Sequence, residues 1–407
     1  MTTDVYAVPT QQDFALPGIA DVFVHAATQI HRAAAEIWPG EPVSLEGHVP
    51  SVTGYVHRAR VGGRTLYAKT SILGVSLVSL LRGTCGSWPE VRQAQEKYVT
   101  QPDGLLAREA AQLRVLNAMD RPRVCAVAGI RHGVIFTEPV TGPSLGELLL
   151  VQPGDTHELL TSTFAELRPL HEPGASLHLG PGGVIGERSI AGTFLRKFNG
   201  LSGALYIDRL GAERCEPGPR GETVELMLRN VDRLRRLRMT LAAAEGPTLA
   251  YGDLKPEHVV FPDGPDGRPV LLDPGLLRAS PMTDLAKLIS RTVLFLAAHR
   301  PGAETASHVV GGLQAFAESQ VVGLSGCERG VVLRGLLTLW LMDTVNILTT
   351  YLSAPAALPL LALGLALVDR AVPVASLVDE VSEALANPAA EQGAWQLALS
   401  DAFLVAS

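Results

Sequence analysis

Hydrophobic patterning predicts an α+β chain in two lobes, a small strand-rich lobe followed by a larger, mostly helical one. Strand-like alternation crowds into the stretch before residue 138, helical periodicity dominates after residue 143, and the Pro/Gly-bearing "EPVTGP" between them reads as a linker. The expected division is therefore 1–137, 138–143 and 144–407. Charged residues make up 18% of the 407, below the roughly 25% of an average soluble chain, which implies extensive burial.

The opening "MTTDVYAVPTQQDFALPG" mixes acid and proline where a secretion signal would carry a positive segment and then an apolar one, so none is expected. "IADVFVHAATQIHRAAAEIW" has the spacing of an amphipathic helix. Strands follow at "PVSLEGH", "SVTGYVHRARV" and "RTLYAKTS", with Gly62-Gly63 between the last two. A two-residue Gly-Gly loop closes a tight hairpin, which sets Val61 opposite Arg64 and Val56 opposite Lys69. Alternation then puts Val56, Tyr67 and Lys69 on one face. An insertion at about 70–105 comes next, and its apolar runs and Trp88 predict packing on the small lobe, with a partner-binding surface as the alternative. "GLLAREAAQLRVLNAM" reads as a helix, "VCAVAGI" and "HGVIFTEP" as strands, and "SLGELL" as the helix after the linker.

In the second lobe, "LRNVDRLRRLRM" presents Arg229, Arg233, Arg235, Arg236 and Arg238, either a solvated basic face or a dock for an acidic peptide or phosphorylated ligand. "SAPAALPLLALGLALVD" (353–369) is broken by two prolines and falls short of the roughly 20 apolar residues that span a bilayer; a buried helix is expected, and no membrane segment. A net charge of −7 offers no basic excess for nucleic acid. Four scattered cysteines without a CxxC suit reduced thiols, so the expected location is cytoplasmic.

One stretch concentrates chemistry: "LAYGDLKPEHVVFPDGPDGRPVLLDPG", residues 249–275. "VVF" and "VLL" flank a turn-rich gap, which predicts a hairpin of 259–261 with 270–272. In simple register 261 faces 270 and 259 faces 272, so His258 lies opposite Asp273, near enough for both to reach one ion. Phosphoryl transfer needs a metal-binding carboxylate, a carboxylate to take the proton of the attacking hydroxyl, and a cation near the γ-phosphate; Asp273, Asp253 and Lys255 supply these in turn.

With these motifs the sequence resembles the protein-kinase-like superfamily, above all its aminoglycoside phosphotransferase branch. "YGDLKPEH" stands for the catalytic loop, "LLDPG" for the metal-binding segment, "LYAK" for the third-strand lysine, "REAAQLRVL" for the helix of its glutamate partner and "FTEPVTGPSLGELL" for the hinge. "TDLAKL" and "FAELRPLHEPG" complete a match in the right order over roughly residues 40–300. The resemblance implies a bilobal protein-kinase-like fold with a small β-rich N-lobe and a larger, mostly helical C-lobe, using ATP (or GTP) with Mg²⁺. It implies that Lys69 holds the α/β-phosphates and pairs with Glu109, that backbone groups of Glu138 to Val140 bind adenine, and that Val56 and Tyr67 border the ring. Asp253 would be the base, Asp273 the Mg²⁺ ligand, and Asp284 a carboxylate buttressing the catalytic loop.

Blander roles stand beside these. Lys69 suits an edge strand, Glu109 an exposed helix face, Asp253 and Asp273 turns, and Asp284 a helix cap. His258 takes the place, five residues after Asp253, where most of the family carries a metal-binding Asn; it is either a ligand or a packed histidine. Pro274, with its fixed φ, implies a constitutive site. The expected acceptor is a hydroxyl of a small natural product or metabolite. The alternatives are a Ser/Thr peptide with a partner lyase, the insertion being the docking surface, and a pseudokinase scaffold.

Overall fold

The computed structural model describes residues 16–179, 182–239, 241, 248–387 and 391–407; most of the opening stretch read for a secretion signal lies outside them. The small lobe is an antiparallel sheet of five strands, β1 (Val43–Val49), β2 (Tyr55–Val61), β3 (Arg64–Thr70), β4 (Val127–Arg131) and β5 (Val134–Thr137), in the order β1-β2-β3-β5-β4. Gly62 and Gly63 take φ of +55° and +86°, so the β2–β3 turn closes in the expected register, with Val61 facing Arg64 and Val56 facing Lys69. Helix α1 (Ile19–Ile37) lays Ala26, Ile30, Ala33 and Ala34 on one face of this sheet, against Ala59, Leu66, Ala68 and Phe136. The opposite face, carrying Val56, Tyr67 and Lys69, is left for the interlobe cleft.

The insertion folds into α2 (Leu77–Leu81) and α3 (Trp88–Tyr98), and α4 (Leu105–Ala118) follows. Leu77, Leu80 and Val91 pack with Val22 of α1, as expected, but also with Ala354 and Leu358 of the large lobe. The insertion is therefore a second bridge between lobes, beside the 138–143 connection. Its apolar runs are used internally.

The large lobe contains α5 (Leu145–Val151), α6 (Thr156–Glu166), α7 (Arg168–His171), α8 (Ile190–Lys197), α9 (Gly200–Asp208), α10 (Pro217–Arg238), α11 (Met282–His299), α12 (Ala303–Ser319), α13 (Gly326–Leu352), α14 (Ala362–Asp369), α15 (Ala371–Ala384) and α16 (Glu391–Ala406). Two two-residue pairings lie among them, formed by β6 (Leu249–Ala250), β7 (Val259–Val260), β8 (Val270–Leu271) and β9 (Leu277–Arg278), with β6 on β9 and β7 on β8. The core is built around α11 and α13, and Trp340 of α13 and Trp395 of α16 are fully buried in edge contact at 6.2 Å. Helix α13 is long and apolar enough to cross a membrane, yet 72% of its apolar window is buried inside the protein.

Two expectations are corrected here. The 353–369 stretch forms a helix only over Ala362–Asp369, and Leu361 and Leu365 stay exposed, because Pro355 and Pro359 cannot continue a helix and α14 is left to cover a cleft edge. The β7–β8 register is one residue tighter than expected: Val259 faces Leu271 and Val260 faces Val270, with the Leu272 N–H donating to the His258 carbonyl at 2.9 Å. Phe261 had been expected to pair within the hairpin; instead its N–H bonds the Pro143 carbonyl at 2.9 Å, which shortens the hairpin.

Part of the basic run of α10 is also consumed internally. Arg229 and Arg233 pair with Asp379 of α15, Arg233 reaches Glu383, and Arg236 pairs with Asp232 one turn back. These contacts leave no concentrated basic dock at Arg229 and Arg233.

Candidate active site

The cleft face of β3 delivers Lys69, and α4 delivers Glu109, which is 1% exposed. Helix α4 is held in this rotation one turn further on. Gln112 accepts from the Leu276 N–H at 3.0 Å and donates to the Gly183 carbonyl at 2.6 Å, while Arg108 grips the Val184 carbonyl and Glu187. Glu109 therefore points inward, and its Oε1 accepts from Lys69 Nζ at 2.8 Å. The exposed-helix reading of Glu109 and the edge-strand reading of Lys69 do not fit; β3 lies inside the sheet, between β2 and β5. Burial works against the Lys69 charge, but Asp273 and Glu109 outweigh it and hold its pKa above the ordinary lysine value.

Asp273 stands across the cleft with one carboxylate oxygen 3.4 Å from Lys69 Nζ and the other 3.4 Å from His258 Nδ1. The observed register puts Leu272, not Asp273, opposite His258, so a regular strand would send the Asp273 side chain to the other face. The chain recovers the contact by turning Asp273 into the left-handed region at φ +54°. Asp tolerates that conformation better than most residues, yet it costs on the order of 1–3 kcal/mol and is typically found where a site over-determines it.

His258 supplies a direct indication of how this corner is used. Burial, then Lys255, hold its pKa down at about 3, so the ring is neutral, and its buried Nδ1 has no hydrogen-bond partner. An unpaired buried ring nitrogen facing a carboxylate is a costly arrangement unless a proton or a cation sits between them. Asp273 and His258 thus fit a divalent cation, although among the described residues no group of three His, Cys, Asp or Glu forms a complete cage. An incomplete protein cage suits Mg²⁺, which is commonly held by one or two carboxylates with water and phosphate oxygens.

Asp253, on the loop between β6 and β7, keeps a quarter of its side chain exposed to the cleft, with Arg188 Nη1 at 3.7 Å. Burial pushes its pKa up, but Lys255, Arg188, Lys287 and Arg291 overcome it and leave the carboxyl well below the usual range. Asp273 is likewise held low, against burial, by Lys69 and Lys255. The loop is braced from behind by Asp284 of α11, which is fully buried and accepts from the Tyr251 and Gly252 N–H groups at 2.7 and 2.8 Å and meets His171 at 3.0 Å. Asp284 does not cap α11; the Met282 N–H at the helix start donates to Ser280 Oγ at 3.3 Å instead.

At the 138–143 connection, the Glu138 N–H is spent on the Ala126 carbonyl at 2.9 Å, whereas among the described residues the Glu138 carbonyl and the Val140 N–H are taken up by no backbone partner. Beyond Lys255, a cleft opens between the loop and helices α11, α13 and α14. Glu257, Phe295, Tyr351 and Leu363 are among its walls. Sequence reasoning missed Arg188, Lys287 and the Arg291–Asp343 pair, whose Nε to Oδ2 distance is 2.6 Å. Their partners lie tens of residues away, so no local spacing announces them.

No family model and no curated protein matches the sequence. Among solved structures, the chain is similar to an aminoglycoside phosphotransferase at 12% identity and TM-score 0.47, covering 89% of this chain and 99% of that one. A choline kinase from Cryptosporidium parvum is similar at 9% identity and TM-score 0.48, covering 86% and 91%. An amicoumacin kinase in complex with AMP-PNP, Ca²⁺ and its antibiotic is similar at 13% identity and TM-score 0.45, covering 87% and 93%. Identities this low leave the residues of the cleft to speak for its chemistry.

Proposed function

We propose that the protein is a phosphotransferase that moves the γ-phosphoryl group of ATP to a hydroxyl of a small molecule. The observation that carries this reading is the convergence of Lys69, Glu109, Asp273, His258 and Asp253 on one cleft, with the His258 Nδ1 left unpaired. Lys69, kept charged and fixed by Glu109, would bind the α/β-phosphates. The free Glu138 carbonyl and Val140 N–H would read the adenine edge, with Val56 and Tyr67 on the ring's other side. Asp273 and His258 would hold Mg²⁺, which when bound neutralises triphosphate charge.

In the reaction the acceptor oxygen forms a bond to the γ-phosphorus as the bond to the β-phosphate oxygen breaks, and ADP leaves with that electron pair. The hydroxyl proton passes to Asp253. A carboxylate held this acidic is ionised at neutral pH and takes the proton late, which suits the loose transition state of phosphoryl transfer. Lys255 would steady charge on the phosphoryl oxygens from the acceptor side.

The walls of the adjoining cleft support a small acceptor with both an apolar and a polar side. Phe295, Ile347 and Leu363 share the wall with Lys255, His258 and Tyr351, and the one carboxylate lining it, Glu257, sits with the cation Lys255. That balance disfavours polycationic acceptors. For a Ser/Thr peptide acceptor, the burial of Leu77, Leu80 and Val91 takes those apolar residues of the insertion out of use as a docking surface.

Thermal stabilisation by ATP with Mg²⁺ is the direct test. A shift with MgATP that Lys69→Met abolishes is expected, and no shift with any divalent ion would favour a scaffold without nucleotide chemistry.

A further inference from the structure

Arg188 enters the cleft from the helical lobe on a short turn, Gly186–Arg188, that belongs to none of the motifs read from the sequence. Its guanidinium meets groups on both sides of the site. Nη2 donates to Glu109 Oε2 at 2.9 Å, and Nη1 donates to the Pro274 carbonyl at 3.0 Å and lies 3.7 Å from Asp253 Oδ2. Glu109 is thereby held at both oxygens, Oε1 by Lys69 and Oε2 by Arg188.

We infer that Arg188 is a positioning residue for phosphoryl transfer, locking the Lys69–Glu109 pair of one lobe to the Asp253 base and the Asp273–Pro274 backbone of the other. This rests on the phosphotransfer reading above. A planar fork with five donors can serve two carboxylates and a carbonyl at once, which a lysine ammonium on a flexible stem cannot do with the same geometry. The fork is itself prearranged. The Arg188 N–H bonds the Ile185 carbonyl at 3.1 Å, its own carbonyl accepts from Lys287 Nζ at 3.3 Å, and Ser189 caps α8 immediately after it.

Gly275 completes the seat. A Cβ there would stand 2.5 Å from Arg188 Cδ and 3.1 Å from Nη1, so the missing side chain is the space the arginine stem occupies. Gly275 has no positive φ that would itself forbid alanine. The last residue of "DPG" is thus explained by a contact with a residue 87 positions earlier rather than by its own backbone.

The test uses the full-length protein with MgATP and water as the acceptor, following ADP release. Arg188→Ala is expected to lower kcat by roughly 10²-fold, the cost of misplacing a reacting group by about an ångström, with a smaller rise in KM for ATP. Arg188→Lys should recover less than about a tenth of the lost rate if fork geometry matters. Gly275→Ala, which displaces the guanidinium while keeping every charge, should lower kcat in the same direction. The double variant should be no slower than Arg188→Ala alone. Full rescue by lysine, or effects of Gly275→Ala and Arg188→Ala that multiply, would overturn the inference. Asp253→Ala separates the two levels: hydrolysis that survives it sinks the phosphotransfer reading, whereas hydrolysis that needs Asp253 but ignores Arg188 and Gly275 sinks only the positioning role.

Discussion

Two buried charge systems meet at the catalytic loop, and they are built to opposite rules. Behind the loop, Asp284 is fully buried with both carboxylate oxygens taken up by Tyr251, Gly252 and His171, while Arg291 and Asp343 form a two-point pair at 2.6 and 3.2 Å. In front of it, Asp273 keeps 36% of its side chain exposed, His258 Nδ1 has no hydrogen bond, and Asp253 has a cation only at 3.7 Å. The rear system uses its charges to hold backbone; the front system keeps its capacity available for a ligand. Buried charge thus marks scaffold where it is saturated and chemistry where it is not.

The comparison can be broken at several points. Asp253→Ala should cost transfer on the order of 10²–10⁴-fold, the usual worth of a positioned base, while the melting temperature stays level or rises, since relieving a front-side group rarely removes scaffold. A variant that unfolded instead would put Asp253 with the rear system. Asp343→Ala should do the reverse, leaving Arg291 buried and unpaired and lowering unfolding free energy by roughly 3–5 kcal/mol in urea titrations. An unchanged urea midpoint would show that the rear pair is not scaffold.

His258 sharpens the same contrast. Replacement by alanine should weaken the divalent-ion requirement of nucleotide stabilisation by about 10–100-fold, with asparagine retaining most of it; equal metal dependence in all three proteins would make His258 a packed ring. The smallest effect concerns an exception in the rear lobe. Burial, with Glu380 adding to it, raises the Asp401 carboxyl from 3.8 to about 6, and its Oδ2 has no partner. A folded pKa above the unfolded one means the protonated form is favoured on folding, so stability falls as pH rises from about 4 to about 6 and then levels. Asp401→Asn should flatten that slope and add about 1–2 kcal/mol at pH 7, as calorimetry across this range would reveal.

The sequence by itself determined the two-lobed α+β order, the β2–β3 register, and the cluster of Asp253, Lys255, His258 and Asp273, because each is written within a short span. Gly-Gly dictates a turn, alternation dictates a face, and a DLKPEH run keeps its residues together wherever the segment goes. It misjudged the β7–β8 register by one residue, because the competing partner of Phe261 is Pro143, more than a hundred positions away. Only the tertiary structure decided that Glu109 turns inward, that the insertion bridges the lobes, that Asp273 reaches His258 through a left-handed backbone, and that Arg188 ties the lobes together in the space Gly275 leaves. These depend on contacts between distant segments, where packing and the pairing of buried charge, not local propensity, select the conformation.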